Sequence, residues 1–193
     1  KKINEAKTTG TDTSTKKSLK KGDNKIYNYN KTFAEQIEDW KKGLIPENDS
    51  LLVGATPEVF KQIGFNNLPV TINQKHVDYA VNGTLDKDHF LGETLLKQLP
   101  QALKNPVAII KSQTQPNRVV AVLKIQHNGK NIIAAVQVDG YGTQNNVRID
   151  SNSITSVFGK NNAINKLLVD SLNDEANKKL SVFYWNKKEA LSL

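Results

Sequence analysis

The groups in this chain best suited to moving protons are two histidines and a lysine. Lys75 and His76 are adjacent, and His89 follows thirteen residues later. Histidine titrates near neutral pH and serves as general acid or base. Both histidines stand among polar neighbours rather than on an apolar stripe, so neither reads as core filling. His127, in a segment rich in turn formers, reads as an ordinary loop residue. A second group runs Ser153-Ile154-Thr155-Ser156-Val157-Phe158-Gly159-Lys160. There the hydroxyls of Thr155 and Ser156 can hydrogen-bond a phosphate, and Lys160 can neutralise charge developing on it. A third group is Tyr184-Trp185-Asn186-Lys187, where the aromatics can stack on a base and Lys187 can meet a phosphate backbone. The simpler alternatives are surface histidines, an ordinary alternating strand and core aromatics.

Many familiar chemistries are excluded by what is missing. The chain has no phosphate loop ending in Lys-Ser/Thr, no Gly-x-Gly-x-x-Gly, no His-Glu-x-x-His and no Gly-x-Ser-x-Gly. Gly54-Ala55-Thr56-Pro57 resembles a phosphate-binding helix start, but a capped structural helix accounts for it. With no Cys and three His, disulfides, thiol catalysis and a Cys-ligated metal are excluded, and neither metal nor cofactor is expected. Apolar runs are a handful of residues, far short of the ~20 a membrane-spanning helix needs.

These groups must be held by a mixture of helices and strands. Phe33, Ile37, Trp40 and Leu44 recur at helical spacing and predict a helix over 32–42, ended by Gly43 and Pro46. Thr56 is the expected cap of a helix with Pro57 at its first position, closed by Gly64. Leu51 to Val53 and Leu68 to Ile72 read as short extended pieces. Leu91, Leu95, Leu96, Leu99 and Leu103 predict helix over 85–104, interrupted at Pro100. From Pro106 the period becomes two. Val107 to Ile110 reads as a strand, and Asn128-Gly129 between 118–126 and 131–138 signals a hairpin. Shorter strands at 146–149 and 154–158, a helix over 162–173, a strand over 181–185 and a terminal helical turn from Lys188 complete the pattern. Helices followed by an antiparallel meander predict an α+β fold.

Charge divides the chain differently. Nine of the 27 basic residues lie within 1–31, against only three acids there, so the remaining 162 residues are close to neutral despite the overall +8. Residues 1–31 are expected to form a basic flexible tail or linker, because 1–25 hold only isolated aliphatics. Residues 32–193 are expected to form a single domain. The chain opens on Lys-Lys and contains no Met, and is expected to be part of a larger polypeptide.

Five pieces in order carry a family resemblance. They are the Thr56-Pro57 helix ending at Gly64 with Leu68-Pro69-Val70; the Lys75/His76 and His89 region; Leu99-Pro100-Gln101-Ala102-Leu103-Lys104-Asn105-Pro106 leading into a hydrophobic strand; the Asn-Gly hairpin; and Ile154 to Lys160 followed by Phe183 to Lys188. Over roughly 50–193 they resemble the C-terminal domains of phage MuF-type head proteins, in the group of barnase–EndoU–colicin–RelE-like nucleases. The resemblance implies N-terminal helices packed on a four- to five-stranded antiparallel sheet. It also implies a toxin-type ribonuclease that uses no metal and attacks the phosphate with the adjacent 2′-hydroxyl. The family's Lys/His region falls on Lys75, His76 and His89, and both histidines remain candidates for its position, since Val77–Asp88 reads as an insertion. Its Ser-x-aromatic-Gly-basic motif falls on Ser156 to Lys160. The implied catalytic set is therefore His89, His76, Lys75, Ser156, Thr155 and Tyr184, with Lys160, Lys187 and Trp185 binding substrate. The implied partners are RNA, tRNA among the candidates, and a cognate immunity protein. The implied location is a target-cell cytoplasm reached by secretion or delivery, or a phage particle.

Two other readings compete. An ADP-ribosyltransferase is loosely suggested by Ser153-Ile154-Thr155-Ser156, but its Glu-x-Glu pair is missing and Glu189 stands alone. A non-enzymatic phage-head or nucleic-acid-binding domain is the third.

Overall fold

The computed structural model describes residues 26–83, 90–161 and 182–190. In chain order the elements are α1 (Phe33–Lys41), β1 (Ser50–Ala55), α2 (Glu58–Gln62), β2 (Pro69–Asn73), α3 (Gln74–Asn82), α4 (Glu93–Leu96) and α5 (Leu99–Lys104), then β3 (Ala108–Lys111), β4 (Arg118–His127), β5 (Lys130–Gln144), β6 (Val147–Lys160), β7 (Val182–Trp185) and α6 (Lys187–Ala190). The strands form one seven-stranded sheet in the order β1-β2-β6-β5-β4-β3-β7. Every neighbouring pair is antiparallel except β2 and β6, which run parallel through Val70↔Asn152, Thr71↔Ser153 and Ile72↔Ile154.

This corrects the expectation of helices on a four- to five-stranded antiparallel sheet. The 51–53 and 68–72 pieces are full strands that pair with each other and then extend the meander at its β6 edge. Strands about 80 residues apart share no turn signal, so their parallel pairing leaves no local trace. The pieces at 146–149 and 154–158 are one continuous strand. It returns from β5 through Asn145-Asn146, both with positive φ (49° and 62°), a second two-residue hairpin turn. The Asn128-Gly129 turn forms as expected, with φ of 51° and 71°.

Local chemistry explains the helix boundaries. Thr32 caps α1 in a capping box with Glu35, whose carboxylate accepts from the Thr32 backbone N–H at 2.8 Å. Thr56 does not cap α2; Pro57 occupies that position, and the Thr56 hydroxyl donates to the Leu68 carbonyl at 2.5 Å. Pro100 does not interrupt a helix but sits in the first turn of α5, where a missing N–H goes unused. Helix α3 is unannounced by the sequence pattern: Asn73 caps it by accepting from the Lys75 N–H at 2.8 Å, and Gly83 ends it at φ 66°. The helix expected over 162–173 and residues 1–25 lie outside the described residues.

One face of the sheet and the helices enclose the main core, with Ile37, Leu51, Ile72, Leu99, Ile109, Leu123 and Ile154 fully buried. A smaller cluster of Val107, Ala108, Ile110, Val122 and Ile133 lies apart from it. Helix α1 is pinned to β1 by Gln36, which accepts from the Leu52 N–H at 2.8 Å and donates to its carbonyl at 3.0 Å. Helix α4 is tied to α1 by Glu93, which accepts from Lys41 and Lys97 at 2.5 Å each. Those hydrogen bonds, Lys41 first, hold the Glu93 carboxyl down to about 2. Its contribution to stability is therefore complete above the ordinary value near 4.5 and is lost as pH falls towards 2.

The end of the expected basic arm is packed. Tyr27 is buried in the core, and its backbone N–H donates to the Asn145 side chain at 2.7 Å, which donates back to the Tyr27 carbonyl at 3.2 Å. The Tyr27 hydroxyl donates to Asp39 at 2.7 Å, and burial first, then that hydrogen bond, raises its pKa. Tyr29 is raised in the same way by burial and by donating to Asp49 at 2.7 Å.

Asp49 is fully buried and also accepts the backbone N–H groups of Asn145 (2.5 Å) and Asn146 (3.0 Å), clamping the β5–β6 turn. Asp49→Ala leaves three part-buried donors without their acceptor, and the expected cost is about 1–3 kcal/mol, read from the urea unfolding midpoint. Asp49→Asn, which keeps one carbonyl oxygen, should cost less; equal stability of Asp49→Ala and wild type would show that the clamp is idle.

Candidate functional site

Strand alternation sends the side chains of Val70 and Ile72 into the core and leaves Thr71 facing away from it. On β6 the same alternation directs Ile154 inward and Ser151 and Ser153 to the Thr71 side. The result is a hydroxyl ladder across the parallel seam: Thr71 to Ser151 at 2.8 Å, Ser151 to Ser153 at 3.0 Å, and Ser153 donating to the Tyr141 carbonyl at 2.8 Å. Asn152, fully buried, fastens the same seam by donating to Thr56 at 2.8 Å and to the Asn66 carbonyl at 3.0 Å.

The β5 strand lies directly on this ladder, which only glycine permits. A Cβ at Gly142 would sit 2.9 Å from the Thr71 hydroxyl, and one at Gly140 would sit 3.1 Å from the Ser153 hydroxyl. The hairpin is tied further to β1, where the Thr143 N–H donates to the Ser50 hydroxyl at 3.3 Å.

Where these elements meet is a cleft of about 220 Å³. Ser50, Thr71 and Asn73 line one side, Gln137, Tyr141 and Thr143 another, Ser153 and Thr155 a third, and His76 contributes from α3. His76 reaches the cleft because α3 starts at the residue after β2 ends, and buried Val77 and Ala80 fix its roll. The His76 ring meets Tyr79 edge-on, with centroids 6.1 Å apart, and Lys75 places its ammonium 5.5 Å from the same ring. Among the described residues no carboxylate lines the cleft. Its inventory is one proton carrier among hydroxyls and amides, able to bind an anion through neutral donors and to exchange a proton with it.

The residues expected from the sequence are only partly gathered here. His76 and Thr155 line the cleft. Lys75 is exposed on α3, directed at Tyr79. Ser156 pairs with Ala135 at a bulge and lines neither this cleft nor the groove beyond it. Lys160 lines that second groove, of about 290 Å³, with Lys111, Arg118 and Phe158. Tyr184 packs half-buried against the core, Trp185 is exposed on β7, and Lys187 is exposed on α6. Strand β7 is four positions from β6, about 19 Å across the sheet, so these three stand apart from His76. His89 lies outside the described residues. Sequence reasoning missed Ser50, Thr71, Asn73, Gln137, Tyr141, Thr143 and Ser153 as lining residues; a polar residue between two buried ones (Thr71) and Gly140-x-Gly142 inside a strand were the available signals. Among the described residues no group of three or more His, Cys, Asp or Glu is placed to hold a metal ion. Among them, too, no helix is long and apolar enough to cross a membrane.

Residues 80–192 match the family of the phage MuF C-terminal domain. The chain belongs to that family. No curated protein and no solved structure matches it. In this MuF C-terminal domain the matched span holds the β5 and β6 side of the cleft, whereas Ser50, Thr71, Asn73 and His76 precede it.

The close approach over Thr71 gives a direct test of the cleft's construction. Gly142→Ala should destabilise the domain by about 1–3 kcal/mol through overpacking. Combining it with Thr71→Ala, which removes the two nearest of the colliding atoms, should cost less than the two single losses added together. Strict additivity in urea unfolding would contradict this geometry.

Proposed function

We propose that this MuF C-terminal domain is a metal-independent ribonuclease, the toxin part of a phage-derived or secreted protein. The observation that carries the reading is His76 at a cleft that the described residues line with hydroxyls and amides and with no carboxylate. Such a lining receives a phosphodiester without charge repulsion, and its donors can follow charge onto the non-bridging oxygens.

In this reading a base removes the proton from a ribose 2′-hydroxyl. The resulting oxygen attacks the adjacent phosphorus, and an acid protonates the departing 5′-oxygen. The products are a 2′,3′-cyclic phosphate and a free 5′-hydroxyl. His76 takes one of the two proton roles, and His89 is the candidate for the other. Asn73, Gln137 and Thr155 are the donors facing the phosphate, Thr155 by turning from its 3.4 Å contact with the Ala135 carbonyl, while the Ser153 hydroxyl stays on the Tyr141 carbonyl. The groove with Lys111, Arg118 and Lys160 lies on the same side of β5, since Ala135 lines the groove and Gln137 the cleft. It offers cations to the continuing RNA backbone. RNA is the substrate, with tRNA one candidate, and a toxin of this kind calls for an immunity protein in the cell that makes it.

The chain should cleave RNA in EDTA and leave 2′,3′-cyclic phosphate ends. His76→Ala should lower the rate ~10²–10⁴-fold, the usual loss of a general acid or base, with an unfolding midpoint near that of wild type. Cleavage that strictly requires Mg²⁺, or full activity in His76→Ala, contradicts the reading.

A further inference from the structure

Tyr141 is the largest side chain on the rim of the cleft, and more than half of it is exposed (56%). An isolated surface tyrosine needs no explanation, but this one is held in place. The Arg148 guanidinium lies over its ring, 4.0 Å from the centroid. Arg148 follows the Asn145-Asn146 turn and pairs with Thr143, while Tyr141 pairs with Asp150 across the β5–β6 ladder. The turn itself is clamped by Asp49, and Gly140 and Gly142 on either side of Tyr141 are pressed onto Thr71 and Ser153. The ring therefore stands on a fixed backbone beside a polar cleft.

We propose that Tyr141, with Arg148 stacked on it, is a nucleobase platform for single-stranded RNA whose phosphate lies in the adjoining cleft. The inference rests on RNA being the substrate, and it assigns the site of the base. Aromatic rings and guanidinium planes both stack on bases, and they do so with little regard to base identity. The charge pattern divides the roles. Arg148 is engaged on the ring and Asp150 is the ladder partner of Tyr141, so the rim carries no net positive charge for a phosphate and offers a neutral base an acceptor for its amino groups. The cleft behind the rim has a different character, with hydroxyls, amides and, among the described residues, no acid. A nucleotide thus fits in one orientation, base outward on Tyr141 and phosphate inward towards Thr155 and His76. A base inside a duplex cannot present its face to a ring, so the platform selects unpaired RNA.

The test is fluorescence anisotropy with a short fluorescein-labelled 2′-O-methyl RNA, single-stranded or annealed into a duplex. Without a free 2′-hydroxyl this probe cannot be cleaved by the proposed route, so binding is read independently of catalysis. Wild type should prefer the single strand. Tyr141→Ala should weaken that binding about 5- to 100-fold, the range expected for one base–aromatic stack, and Tyr141→Trp should restore it. Urea unfolding of Tyr141→Ala, expected to match wild type because the ring is exposed, separates lost stacking from lost fold. Equal binding by wild type and Tyr141→Ala, or a duplex bound as tightly as the single strand, would overturn the platform. If wild type cleaves natural RNA while Tyr141→Ala binds unchanged, the platform alone falls. If no RNA is cleaved while binding depends on Tyr141, the platform stands and the ribonuclease reading falls.

Discussion

Three residue pairs in parallel register, Val70↔Asn152, Thr71↔Ser153 and Ile72↔Ile154, hold this domain's two halves as one sheet. They are stabilised on both faces by different physics. On the core side Ile72 and Ile154 are fully buried against each other's neighbours, where hydrophobic burial supplies the larger share. On that same side buried Asn152 satisfies both ends of its amide, accepting from the Asp139 N–H at 3.1 Å while donating to Thr56 and the Asn66 carbonyl, and on the other side Thr71, Ser151 and Ser153 share hydroxyl hydrogen bonds. A buried amide left half-satisfied would cost more than it gives. The seam is therefore specified in register as well as in strength, because a one-residue slip would exchange the two faces.

The cleft is a consequence of that seam. Helix α3 begins where β2 ends, so fixing β2 beside β6 fixes His76 beside Thr155. The β5–β6 hairpin then arches over Thr71, closed at its far end by Asp49 and opened in its middle by two glycines. Among the described residues nothing acidic enters the lining, and Lys111, Arg118 and Lys160 supply cations further along the sheet. A near-neutral domain can in this way present a local surface suited to an anion, although its net charge suggests none. Because the matched family span starts at residue 80, the family likeness covers the arch and β6 but not the histidine that faces them.

Much of the architecture was legible in residues whose signals are local. The Phe33/Ile37 stripe and the Asn128-Gly129 turn each follow from a few neighbouring residues, and each forms as expected. The failures are non-local. Thr56 looked like a cap because its partner, Asn152, lies 96 residues away. Helix α3 was hidden because its stripe is only Val77 and Ala80. The long β5–β6 ladder was read as fragments, since Gly140-Tyr141-Gly142 and the Ser151-to-Ser153 run break the apolar alternation for the sake of the hydroxyl ladder. The same cause limited the site. Tyr184, Trp185 and Lys187 have suitable chemistry, but the strand order carries them away from His76, and strand order is invisible in spacing, while Lys160 shares β6 with Thr155 but lies at its far end, in the second groove. Thr155 and His76 were found by residue type, whereas Ser50, Thr71 and Gln137 acquire a role only from their neighbours in space.

Photocrosslinking would locate the bound strand on the domain. The intact chain would be irradiated with a short 2′-O-methyl RNA carrying 4-thiouridine, and the crosslinked peptides identified by mass spectrometry. Crosslinks should fall within 69–76 and 137–155, the two sides of the cleft. Crosslinks confined to 182–188 on the far edge, or to the lysine-rich 1–31, would contradict the account.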